Sequence, residues 1–137
     1  MKKLILASLF VATAAAAAPT LETGNGDWSN IPVMRARGSA TVDTDVITAM
    51  IGLVDSGECS IPGQRPGRIS MSVPFLAKFN NQGAAERLVI RPVGCTRADG
   101  LLAGEVQRMV ESRIFRPEGG EVDGWFRGEI AFSYFRE

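Results

Sequence analysis

Residues 69–80 alternate. Ile69, Met71, Val73, Phe75, Ala77 and Phe79 fall on one parity; Ser70, Ser72, Pro74, Leu76, Lys78 and Asn80 fall on the other. A period of two over this length predicts a strand buried on one face. Pro74 has no N–H for a ladder, so it marks an edge, a bulge or the strand's start. Asn80-Asn81-Gln82-Gly83 reads as a hairpin-type turn. A second strand follows over residues 86–93, with Leu88 and Ile90 inward and Pro92 ending regular pairing. Residues 125–135 alternate again. Phe126, Ile130, Phe132 and Tyr134 point one way, with Gly128 among them, and Trp125, Arg127, Glu129, Ala131 and Ser133 point the other.

Elsewhere the period lengthens. Val46, Ile47, Met50, Ile51, Leu53 and Val54 recur at three- and four-residue spacing and predict a helix over residues 44–56. Asp43 or Thr44 can cap its start, and Gly57 stands just past its end. Thr96-Arg97-Ala98-Asp99 fits a capping box, with Thr96 capping. The helix it opens runs to about Arg113. Leu102, Val106, Met109 and Val110 share its apolar face, and Glu105, Arg108, Glu111 and Ser112 its polar one.

The predicted order is helix, strand, strand, helix, strand. A small antiparallel sheet of three main strands, with both helices on one face, buries every apolar stripe at once; this is an α+β arrangement. Residues 18–40 read as tail or linker, with a short possible strand at Val33-Met34-Arg35-Ala36-Arg37 and a lone aromatic, Trp28, that docks on the domain. Residues 41–137 form the domain, with its core at 69–137.

The N-terminus is an address. Lys2 and Lys3 precede an apolar run from Leu4, which ends in consecutive alanines through Ala18. That run is shorter than the ~20 apolar residues of a spanning helix. It reads as a signal peptide over residues 1–17, cleaved before Ala18, which directs the chain to the periplasm. The alternative is an uncleaved inner-membrane anchor. Export makes Cys59 and Cys95 a structural disulfide rather than a redox pair, which would carry C-x-x-C spacing.

Charge and composition narrow the chemistry. Fifteen basic residues balance fifteen acidic ones, which argues against nucleic-acid binding through bulk positive charge. The chain has no histidine. That removes Ser-His-Asp and Cys-His catalysis and histidine-ligated zinc. Two cysteines do not make a four-cysteine zinc site, and there is no G-x-S-x-G elbow or phosphate-cradling loop. Glu118, Glu121 and Asp123 read as a solvated acidic turn. Arg35 and Arg37 could bind an anion but read as a solvated strand face. No catalytic, cofactor or metal site is expected, and the protein reads as a binder rather than an enzyme.

The feature with functional reach is the last strand. At a sheet edge it would expose a row of unpaired N–H and C=O groups. Such an edge accepts an extended peptide by β-augmentation.

Residues 73–135 resemble the C-terminal domain of TonB-family proteins. The matching stretches are 73–83 (VPFLAKFNNQG), 86–94, 99–110, Arg113-Ile-Phe-Arg-Pro117, and 121–126 (EVDGWF) running into 130–134. Phe115-Arg116-Pro117, shortly before a final alternating strand, carries most of the likeness. The chain departs from the family in lacking a Pro-rich spacer, and the cysteine pair is a local addition. The resemblance implies a ββαβ fold whose last strand pairs with a short peptide of an outer-membrane receptor. It would place that edge on Trp125, Arg127, Glu129, Ala131, Ser133 and Phe135. The partner is then a TonB-dependent receptor or another envelope protein. The alternative is an accessory envelope protein without energy transduction, joined as a homodimer through the same edge.

Removing residues 1–17 leaves thirteen basic against fifteen acidic residues. The intact mass of the exported protein is expected to be that of residues 18–137; a full-length mass would instead leave the anchor.

Overall fold

The computed structural model describes residues 18–37, 40–117 and 123–136. The signal segment and the Glu118 and Glu121 part of the acidic turn lie outside the described residues. The elements are β1 (Thr20–Thr23), β2 (Arg35–Ala36), α1 (Thr44–Asp55), β3 (Arg68–Phe79), β4 (Ala85–Ile90), α2 (Thr96–Glu111), β5 (Phe115–Arg116) and β6 (Gly124–Phe135). The class is α+β, as the patterning predicts.

The three predicted main strands are β3, β4 and β6, and they pair antiparallel. β3 is central. It pairs with β6 from Arg68↔Phe135 to Phe79↔Gly124, and with β4 from Phe75↔Ile90 onward. Pro74 therefore sits where pairing to β4 stops. Its carbonyl accepts the Arg91 N–H at 3.1 Å, and its missing donor falls beyond the end of β4. Ahead of Pro74, that side of β3 is closed by a side chain. The Gln64 amide accepts from Ser70 N at 2.8 Å and donates to Ser70 O at 2.9 Å, standing in for a neighbouring strand.

The sheet has a fourth strand that periodicity does not show. The segment read as tail contributes β1, which runs parallel to β4 and makes the sheet mixed, in the order β1-β4-β3-β6. All four β1 residues are exposed, so no apolar alternation announces it. Its ladder to β4 and the Glu22–Arg87 ion pair at 2.8 Å hold it. β2 and β5 form a separate antiparallel pair.

α1 begins as predicted, with the Asp43 carboxylate accepting from Asp45 N at 2.9 Å. It buries Met50, Leu53 and Val54. α2 differs at its start. Cys95, not Thr96, is the N-cap, and it makes no side-chain cap bond. Asp99 reaches further back and accepts the Val93 N–H at 2.7 Å. The disulfide Cys59–Cys95, with Cα atoms 5.6 Å apart, joins the loop after α1 to this corner. Loop-closure entropy over that separation stabilises the fold by about 3–4 kcal/mol. Glu105, predicted on the polar face, is only 3% exposed. It accepts the Asp43 N–H at 2.8 Å and Arg108 Nη2 at 2.7 Å. The start of α1 covers it, so its helical face is decided by a neighbour rather than by α2 itself.

Both helices and the sheet share one core, with Phe75 fully buried at its centre. Its ring meets Phe115 edge-on, with centroids 5.1 Å apart. Across the ladder stands Gly128, where a Cβ would lie 2.6 Å from Phe75 Cζ. Gly128→Ala is expected to destabilise the protein by about 1–3 kcal/mol, because a buried ring has no room to retreat. Urea unfolding measures this; an unchanged midpoint would show that the ring repacks freely.

Candidate functional site

β6 is an outer strand of the sheet, with β3 on one side only. In an antiparallel ladder, alternate residues turn both backbone polar groups to the same side. The parity is visible at Arg127. On the side away from β3, its N–H donates to Pro32 O at 2.8 Å and its C=O accepts from Met34 N at 2.7 Å. Trp125, Glu129, Ala131, Ser133 and Phe135 share that parity. The even residues carry the ladder to β3, and Phe126, Ile130 and Phe132 also bury their side chains. Period-two burial and outward backbone groups thus follow from one fact, the parity of the apolar positions.

The six residues named from the sequence differ in what they offer. Arg127 is already engaged: residues 32–34 form a short strap on it, with Val33 bridged parallel. Its side chain holds the same strap, Nε donating to Ile31 O at 2.8 Å. Trp125 lies under the Arg87 guanidinium, 5.0 Å from the ring centroid. Glu129, Ala131 and Ser133 are exposed, and among the described residues no backbone group outside the sheet bonds to theirs. Glu129 accepts from Ser72 Oγ, and Ser133 Oγ lies 3.0 Å from Ser70 Oγ. Both contacts are across the ladder, so they stiffen β6 and leave its outer backbone open. Phe135 is 58% exposed, with Arg68 5.5 Å above its ring. Just beyond it, Arg136 pairs with Asp55, and this bond, with one to Tyr134, raises the guanidinium's pKa above its ordinary value. That pair ties the end of the edge to α1.

Sequence reasoning missed the strap. Residues 24–33 leave β1, where Gly24 N donates to Ile90 O at 3.1 Å, and end on β6 at the other side of the sheet. Trp28 is the anchor on the way. Arg91 stands 4.4 Å over its ring and donates from Nη2 to Gly26 O at 2.7 Å. Asp27 accepts from Ser29 N at 3.0 Å, and hydrogen bonding from Ser29 lowers its carboxyl pKa. A cleft of about 460 Å³ opens between the strap and the sheet, walled by Trp28, Pro74, Arg91, Arg127 and Glu129. Trp28, an aromatic alone in a polar stretch, was the available signal.

Among the described residues no helix is long and apolar enough to cross a membrane. No family model, curated protein or solved structure matches the chain.

Arg127→Ala removes the side-chain half of the strap's attachment. One such bond is worth about 1 kcal/mol, or roughly fivefold in an opening equilibrium. Hydrogen exchange at the Met34 and Arg127 amides is expected to speed up by that factor, with Leu88 unchanged. Equal exchange in both proteins would mean the backbone bonds alone hold the strap.

Proposed function

We propose that this protein is a non-enzymatic binding module of the periplasm, which takes up an extended segment of a partner as an added strand along β6. The observation that carries this is the open row of backbone groups at Glu129, Ala131 and Ser133 on a twelve-residue outer strand. An edge of this kind pairs readily with another chain unless it is blunted. Here the strap covers Arg127 and stops there. It also shows the mode in miniature, because residues 32–34 are themselves an added strand.

The resemblance to TonB C-terminal domains supports the reading. From β3 onward the main elements run strand, strand, helix, strand, as that resemblance implies, and the long aromatic strand comes last. The partner is a TonB-dependent outer-membrane receptor or another envelope protein. The open stretch of five residues spans about 17 Å. A segment of that length gives a small interface, fitting a transient contact.

A proline at Ala131 tests this cleanly. It deletes an outward N–H, while the bonds to β3 run through Ile130 and Phe132, so the fold is expected to survive. The oxidised protein and Ala131→Pro are each used to capture partners from solubilised envelope, with mass spectrometry as readout. Capture of TonB-dependent receptors by the parent, reduced at least tenfold in the variant at unchanged circular dichroism, is the expected result. No envelope protein captured by a folded monomer would overturn the proposal. A concentration-dependent dimer lost in Ala131→Pro would put the accessory homodimer in its place.

A further inference from the structure

A second cleft, larger than the one under the strap, lies away from the β6 edge beside Glu129–Ser133. It opens at the other end of the β3–β6 ladder, where β3 finishes at Phe79 and turns through Gly83. It measures about 640 Å³, and Arg35, Arg37, Arg113 and Arg116 line it, with Phe79 and Phe115 among its apolar walls. Among the described residues that line it, none is a carboxylate. The chain has twelve arginines, and four of them stand at this one cleft.

The small β2–β5 ladder creates the cluster. Arg35 stands directly opposite Arg116, and Ala36 opposite the buried Phe115. The ladder continues one step further, with Arg37 N donating to Ile114 O at 2.6 Å. Arg37 is two residues from Arg35 and so shares its face. Three guanidinium-bearing residues thus crowd one face of a two-stranded ladder. Arg37, Arg113 and Arg116 have no ion pair among the described residues.

Arg113 adds a fourth. It follows α2 in the left-handed region, at φ 60°, where glycine is the usual residue. Its N–H donates to Val110 O at 3.1 Å, closing the helix. A cation near a helix C-terminus is favourable in itself. That accounts for Arg113 but not for Arg37 and Arg116.

We infer that this cleft is an anion-binding site for a phosphate-bearing ligand. One carboxylate would neutralise one of these charges. A phosphomonoester carries about −1.5 to −2 and three strong acceptor oxygens, which suit several guanidinium forks at once. The cleft is far larger than one phosphate, and Phe79 and Phe115 give it an apolar side for the body of the ligand. The phosphate can belong to a free small molecule or to a lipid headgroup, and the same arginines would hold either.

The experiment uses the oxidised full chain at low salt. Pyrophosphate binding is followed by titration calorimetry. Flotation follows binding to phosphatidylcholine vesicles with and without phosphatidic acid. Arg37→Gln combined with Arg116→Gln is the test variant. Arg87→Gln combined with Arg97→Gln, two arginines outside the cleft, is the control of equal charge. Saturable binding, weakened at least tenfold in the test variant and less than twofold in the control, is expected. Pyrophosphate binding that also strips the protein from vesicles identifies a free phosphate ligand. Binding only to phosphatidic acid vesicles identifies a headgroup. Binding to neither probe, or equal loss in test and control variants, overturns the site.

Discussion

The twelve-residue ladder between β3 and β6 is the constraint on which the rest of this molecule depends. It closes at one point with little tolerance. Phe75 is fully buried, braced by Phe115 on one side and by the bare backbone of Gly128 across the ladder. A side chain at Gly128 would push the ring out of the space that the helices enclose. The glycine therefore does more than break the alternation of β6. It lets two strands approach while an aromatic ring lies between their backbones and the helices. Phe115 carries the consequence outward, because its strand, β5, pairs with β2.

Holding β6 on one side leaves the other side to be managed. Edge strands invite pairing, and proteins blunt them with charge, side-chain cover or a crossing segment. Two devices of this kind are visible. Gln64 satisfies Ser70 on the free half of β3 with its own amide, and residues 32–34 occupy Arg127 on β6. Neither reaches Glu129, Ala131 and Ser133. The selective cover makes the uncovered stretch the candidate site rather than an ordinary edge. The arginine cleft lies at the opposite end of the ladder, so the two surfaces are separate.

The disulfide and the Glu105 cluster fix α1, which lies ahead of the sheet's central strand in the chain. Cys59–Cys95 ties the end of α1 to the corner before α2. Glu105 ties the start, accepting from the Asp43 backbone while Arg108 neutralises it and has its own pKa raised in return. α1 is thus pinned to α2 at both ends, once covalently and once through a buried carboxylate.

Much of this was legible in the residues. The alternation in 69–80 and 125–135 and the helical stripe after Asp43 each reflect burial against a large neighbour, and burial writes a period into the chain; the turn at Asn80 is as local, its side chain accepting from Gln82 N and Ala84 N. The parity that buries Phe126, Ile130 and Phe132 sets Glu129, Ala131 and Ser133 apart from them, and the resemblance named these residues as an edge; that β6 has β3 on one side only was decided by the fold. Tertiary structure decided the rest. β1 is a strand only because β4 offers it a ladder, and backbone hydrogen bonds leave no mark on side-chain polarity. Glu105 is buried only because Asp43, 62 positions away, brings an N–H to it. Arg35 and Arg37 read as a solvated face until the β2–β5 pairing sets Arg116 against Arg35 and the turn at Arg113 delivers a fourth charge. A local window registers periodicity, because periodicity is a local response to burial; contacts between distant segments exist only once the chain has closed on itself.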